Sequence, residues 1–246
     1  MRKLFLTLGV LIGNDALAQS CMPVPDCAAM GYTETSCEGD FLRCPFDTTK
    51  MACVVKKTTG ASTGCEVGMI YYSDGTCSSL YNATKSIAGI VVEKDKLILS
   101  KPVKMTWASN ANTDVSGITN ITSSDTAKTD MNGKSNTAAI VSAYSSDTAS
   151  NNAAKYCNSF TGGINGTEGK WYLPAVGELY TYLYGYYLTL KPVAVDIMGW
   201  NNFETFFWSS SEYSSLFAWF MGSDGGSVAW NSKNINDYSV SCLLEI

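Results

Sequence analysis

Nine cysteines constrain this chain before any other feature does. Cys21, Cys27, Cys37, Cys44, Cys53, Cys65 and Cys77 crowd the first 77 of 246 residues, while Cys157 and Cys242 stand apart downstream. Whether such residues exist as thiols or disulfides depends on the redox compartment. Met1-Arg2-Lys3 supplies a positive start, Leu4 to Ile12 an apolar run, and Ala16-Leu17-Ala18 small residues before Gln19. This is the layout of a secretory signal peptide over residues 1–18. It predicts an exported protein, secreted, periplasmic or held at the cell surface, with disulfides as the default state. Ala18-Gln19-Ser20-Cys21 fits a lipid-attachment box poorly because Gln19 is bulky. No later stretch supplies the roughly 18 consecutive apolar residues of a membrane helix, so no transmembrane segment is expected.

The cysteines also divide the chain. Residues 19–64 are rich in Pro, Asp, Gly and Thr and poor in large aliphatics, so they read as a small module stapled by disulfides rather than a core-bearing domain. Seven cysteines in the N-terminal region is an odd number, which leaves one free, intermolecular or lipidated. Cys157 sits in the helix-forming stretch Asn152 to Phe160, with Asp147 upstream as its cap, and Cys242 sits in the strand-like alternation Tyr238 to Leu244. Two states are open to this pair. They are either buried free thiols or a bridge closing about 85 residues, which the chain-entropy model values at roughly 4 kcal/mol.

The chain has no histidine and no C-x-x-C spacing. Ser-His-Asp and Cys-His catalysis and His-containing metal sites are thereby excluded. A formal charge of −5 weighs against a nucleic-acid partner bound through its phosphates. The 46% apolar content is ample for a packed core.

Residues 65–246 read as the larger domain. Met69 to Tyr72 predicts a strand, Ser73 to Thr76 an Asp-Gly turn, and Ser86 to Val92 with Leu97 to Leu99 a hairpin around a charged tip. Residues 109–151, dominated by Ser, Thr, Asn and Asp, predict a long polar loop with a short helical turn near Ala138 to Val141. Trp171 to Leu173 predicts a short strand, Pro174 the first turn of a helix, and Gly185 the C′ residue that ends it. Aromatic strands follow from Phe206, separated by turn signals at Ser223 to Gly226 and Asn231 to Asn236.

Three separated motifs carry a family resemblance: Tyr156-Cys157; Trp171-Tyr172-Leu173-Pro174 with Glu178-Leu179; and Trp208-Ser209-Ser210-Ser211-Glu212-Tyr213 with Ala218-Trp219 and a final Cys242. Residues 65–246 resemble the bacterial DUF1566 group of the C-type lectin-like superfamily, which also contains the formylglycine-generating enzymes. The resemblance implies an α+β, C-type lectin-like fold with two helices, a small twisted antiparallel sheet and long loops, and a Cys157–Cys242 disulfide. It departs from the family at Ser241, where an arginine usually precedes the cysteine. The family's calcium motifs are absent, and Trp200-Asn201-Asn202 and Trp230-Asn231-Ser232 lack the acidic ligand a calcium site needs. The close pair of reactive cysteines of the formylglycine-generating branch is also lacking, so no metal or other cofactor is implied.

Some members of this superfamily are variable proteins of diversity-generating retroelements, whose last strands and loops present changeable side chains on a rigid frame. The corresponding candidates here are Tyr213, Ser214, Ser215, Leu216, Phe217, Met221, Trp230, Asn231, Asn234, Asn236 and Tyr238. Aromatic anchors mixed with Asn and Ser suit a paratope. Trp208, Trp219 and Phe220 read as core, and the tyrosines from 180 to 187 as helix packing. The leading expectation is therefore a non-catalytic exported module that binds an external protein or glycan. A passive structural part of a cell-envelope assembly and a formylglycine-generating-type oxidase are the competing classes.

Overall fold

In the computed structural model the described residues are 41–44, 47–53, 64–109, 111–235 and 238–246. The expected signal peptide, most of the cysteine-rich module and Asn236 lie outside them. The chain divides into two units, Met1–Thr63 and Gly64–Ile246. The described part of the first unit is an antiparallel hairpin of β1 (Phe41–Cys44) and β2 (Asp47–Cys53).

The second unit is α+β and holds two five-stranded sheets. The first sheet is antiparallel throughout and comprises β3 (Ile70–Tyr72), β4 (Cys77–Ser78), β5 (Ile87–Glu93), β6 (Leu97–Leu99) and β12 (Leu243–Glu245), in the order β12-β6-β5-β3-β4. The second comprises β7 (Val103–Met105), β8 (Phe206–Glu212), β9 (Phe217–Gly222), β10 (Val228–Ser232) and β11 (Tyr238–Val240), in the order β10-β9-β8-β11-β7. It is mixed, because β11 pairs with β8 in parallel.

The composition of β5 follows from its position. Val91 packs into one core cluster, while its neighbours Ile90 and Val92 pack into another on the opposite face. A strand covered on both sides reads as a continuous apolar run instead of an alternating one. Leu97-Ile98-Leu99 is split between the two clusters in the same way.

The expected terminal strand is two strands in two sheets. β11 pairs with β7 and β12 pairs with β6, both antiparallel, so segments 97–105 and 238–245 form one ribbon that runs through both sheets. Its bend is fixed by side chains. The Ser100 amide donates to the Cys242 carbonyl at 2.8 Å, and the Cys242 amide donates to Ser100 Oγ at 2.7 Å. Ser241 Oγ donates to the Ser100 carbonyl and closes the joint.

Five α-helical segments lie among the described residues: α1 (Ser124–Ala127), α2 (Gly133–Ala143), α3 (Ala153–Ser159), α4 (Val176–Glu178) and α5 (Tyr187–Lys191). The helix α4 runs into a π-helical stretch, Leu179–Tyr184, and α5 into another, Pro192–Ile197. Two five-stranded sheets and five short helices are more than the two helices and single small sheet that the resemblance implies.

The long polar loop expected over 109–151 contains α1 and all eleven residues of α2. The buried face of α2 is Gly133, Asn136, Thr137 and Ile140. Its spacing is helical, yet three of the four residues lack a large apolar side chain, so no apolar stripe marks the helix. The cap of α3 is Asn152, whose Oδ1 accepts the Lys155 amide at 2.9 Å, and not Asp147. Asp147 is engaged by Ser109 and by the side-chain amide of Asn152. Pro174 precedes the N-cap Ala175 and lies outside the first turn. Gly185 adopts right-handed helical backbone, φ −57°, and helical structure resumes at Tyr187.

Cys157 of α3 is bonded to Cys242 at the ribbon joint, and Cys65 to Cys77 at the start of β4. Replacing Cys157 and Cys242 with alanine is expected to lower unfolding free energy by about 4 kcal/mol, read from the guanidinium midpoint. Non-reducing peptide mapping of the unaltered chain should recover the Cys157–Cys242 peptide pair.

Candidate functional site

The site is built around two charges that have left water. Glu212 ends β8, Lys233 follows β10, and both side chains are fully buried. Lys233 Nζ donates to Glu212 Oε1, to the Ser215 carbonyl at 3.0 Å and to the Thr113 carbonyl at 3.4 Å, and it lies 4.7 Å from the Trp107 ring centroid. Glu212 Oε2 accepts the Val115 amide at 3.1 Å. Burial pushes the Glu212 carboxyl up and the Lys233 ammonium down, and each partner opposes the shift of the other. The main chain of Lys233 joins the same knot, its amide donating to the Leu216 carbonyl and its carbonyl accepting from Trp107. The loops at 107–115, 213–216 and 231–234 are therefore held from one point.

The 213–216 loop also carries part of an aromatic surface. Tyr213 stacks on Trp230 with ring centroids 4.7 Å apart and planes 22° apart, and Phe217 meets Trp230 at 4.8 Å. Trp230 sits directly across from Trp219 in the β9–β10 ladder, so both side chains leave the same face of the sheet. Trp219 is buried against Ala127 and Val176, and its indole N–H donates to the Ile121 carbonyl at 2.8 Å. Trp230 remains 45% exposed and Leu216 49%. The turn that presents Leu216 is closed by the Tyr213 and Ser214 amides, which both donate to the Phe217 carbonyl.

The sequence candidates divide accordingly. Tyr213, Leu216, Phe217 and Trp230 come together. Ser214 and Ser215 form the turn between them, with the Ser215 carbonyl turned inward to Lys233. Asn231 and Tyr238 are joined to each other, side-chain amide to hydroxyl, at 2.8 Å. The Tyr238 ring lies among Trp208, Phe206 and Phe220, on the face opposite Trp230. Asn234 is exposed, but its Oδ1 accepts the Ala111 amide at 3.1 Å, which gives it a loop-bracing role. Met221 does not belong to a surface. It is fully buried, pairs across the ladder with Phe207 and packs with it in the core. Lys233 receives no role from the sequence, because nothing local in an Asn- and Ser-rich stretch marks a lysine whose partner is 21 residues away.

The triple serine of β8 is fully buried and works as a docking strip. Ser209 Oγ donates to the Trp219 carbonyl, and Ser211 Oγ donates to Asp130 Oδ2 at 2.6 Å while accepting the Val176 amide. Ser210 contributes its amide to the Pro174 carbonyl. Glu178 is likewise structural in its contacts. Its carboxylate accepts the Ala175 amide at 2.7 Å and the Tyr172 hydroxyl at 3.0 Å, and it also bonds the Gly133 amide. Gly133 has to be a glycine, since a Cβ there would lie 2.1 Å from Glu178 Oε2. Burial outweighs these donors and raises the Glu178 carboxyl to about 7.

No family model matches the chain, and no curated protein matches it. Among solved structures, a fimbrial protein from Bacteroides ovatus ATCC 8483 is similar at 14% identity and a TM-score of 0.48, over 74% of this chain. The match covers 49% of that protein, so the chain spans about half its length. Among the described residues no helix is long and apolar enough to cross a membrane. The two disulfides among the described residues fit the oxidising setting of an exported protein.

Two measurements follow. Lys233→Met leaves a buried carboxylate unpaired and is expected to cost about 3–5 kcal/mol, whereas Lys233→Met combined with Glu212→Leu should recover part of that loss. The folded state also holds its Glu178 proton more tightly than the unfolded chain, whose carboxyl titrates near 4.5. Its contribution is therefore complete below that pH and lost as pH rises toward 7, on the order of 3 kcal/mol in total. Denaturation midpoints across this range should fall with rising pH, and Glu178→Gln should flatten the slope.

Proposed function

We propose that this chain is a non-catalytic exported recognition module, built on a C-type lectin-like frame of the DUF1566 kind, that engages an external protein or glycan. The contact surface is formed by Tyr213, Leu216, Phe217 and Trp230. The observation that carries this reading is the exposed Trp230 indole, stacked on Tyr213 and flanked by Phe217, beside a 213–216 loop that the buried Lys233–Glu212 pair holds in place. Rings fixed before binding lose little conformational entropy on contact, which is why such anchors dominate recognition surfaces. The frame assignment draws on the three sequence motifs and on the disulfide between α3 and the C-terminal ribbon. Export draws on the N-terminal leader pattern and the disulfides.

The test is a binding screen of the full chain against immobilised glycans and purified envelope proteins, followed by Trp230→Ala. For a genuine ligand, loss of the indole is expected to weaken binding at least about tenfold while the melting temperature stays within a few degrees. Leu216→Ala should weaken it less. A ligand whose affinity ignores both changes would overturn this surface assignment. Variants that alter only self-association of the chain would replace the recognition reading with the structural one.

A further inference from the structure

The tyrosine run that reads as helix packing also lines an opening in the molecule. A cleft of about 430 Å³ is lined by residues 184–189 and Asp224, with Tyr184, Tyr186, Tyr187 and Leu188 supplying its apolar wall. Asp224 belongs to the tip of the β9–β10 hairpin, at the end away from the Tyr213–Trp230 stack. The wall is built with close tolerances. Gly226 in the same tip has φ +60°, and a Cβ there would lie 2.7 Å from the Tyr184 ring. The π-helical stretch Leu179–Tyr184 leads into the cleft, a rare backbone form that is over-represented at functional sites.

The charges around these rings indicate what the cleft accepts. At one end of the run, Lys128 Nζ lies 5.0 Å from the Tyr180 ring centroid. At the other, Lys191 Nζ lies 5.8 Å from that of Tyr187, and Lys191 is paired with Glu204 at 2.6 Å. Among the described residues no cation lies over Tyr184 or Tyr186, and Asp224 has neither a hydrogen bond nor an ion pair. The Tyr184 and Tyr186 rings and the Asp224 carboxylate thus stand without an ammonium of their own, while the Lys191 ammonium over the neighbouring Tyr187 is taken up by Glu204. An anionic ligand would be repelled here. A neutral one would gain from the rings but would leave the carboxylate uncompensated.

We propose that this cleft binds an organic ammonium group, with Tyr184 and Tyr186 facing the cation and its attached carbons and Asp224 supplying the opposite charge. Leu188, 84% exposed, covers the alkyl part of the ligand. The site stands apart from the Trp230 surface and does not depend on the function proposed for it.

The experiment is an NMR titration of the full chain with choline, with its neutral isostere 3,3-dimethylbutan-1-ol, and with a short lysine-containing peptide. Choline or the peptide is expected to shift the amides of Tyr184, Tyr186 and Asp224, with the neutral isostere at least about tenfold weaker. Asp224→Asn and Tyr186→Leu should each weaken cation binding about fivefold or more, with the rest of the spectrum unchanged. Tighter binding of the peptide assigns the ammonium to a polypeptide side chain, and tighter binding of choline assigns it to a small molecule. Equal binding of choline and its isostere, undiminished binding in Asp224→Asn, or no shift with either cation would overturn the proposal.

Discussion

The bend in the ribbon formed by segments 97–105 and 238–245 is the joint on which both sheets depend. Each of its two strands leaves one sheet and enters the other within three residues, and a crossing that short strands main-chain groups between two ladders. Ser100 and Ser241 supply the missing partners with their hydroxyls, fully shielded from water. An unpaired buried polar group costs about 1–3 kcal/mol, so two small hydroxyl side chains decide whether the two halves of the domain share one frame. The disulfide to α3 attaches at the same place, which ties the helical layer to the joint as well as to the neighbouring strand.

A second buried device sets the geometry of the exposed one. Moving a lysine and a glutamate out of water costs several kcal/mol per ion, and their mutual attraction recovers this only with further hydrogen bonds. Lys233 and Glu212 have those further bonds: two carbonyls and an indole face for the ammonium, and a backbone amide for the carboxylate. Since the donors and acceptors come from three different loops, the pair fixes their relative positions more strictly than apolar contact would. Tyr213 and Leu216 belong to one of those loops, so the same pair positions part of the exposed aromatic surface.

Much of the frame was legible from local pattern. β3, the β5–β6 hairpin and β8 stand where alternation and turn chemistry place them, and Trp208, Trp219 and Phe220 are core as read. What escaped was coded non-locally. The inward face of α2 is Gly, Asn, Thr and Ile, because its partners are polar: Thr137 exchanges hydrogen bonds with Leu173 and Asn136 bonds Asp130. Hydrophobic periodicity cannot register a helix that docks through hydroxyl and amide groups. Met221 is hidden for a related reason: β9 reaches the surface only at its Phe217 end, and the other end is closed off by Phe207 in the core. Lys233 carries no local signal at all, because the carboxylate that gives it a role is 21 residues away in the chain.

The position of the ribbon in the chain has a kinetic consequence. β11 is an interior strand of its sheet and β12 an edge of the other, and both pair with segments about 140 residues earlier, β7 and β6. Neither sheet can be completed until those final pairings form, so the topology carries a high contact order and folds slowly. A polypeptide emerging from its N-terminus onward would keep β7 detached through almost the whole of synthesis. Such a chain stays open until its last residues are made and locks only afterwards, when oxidation joins Cys157 to Cys242.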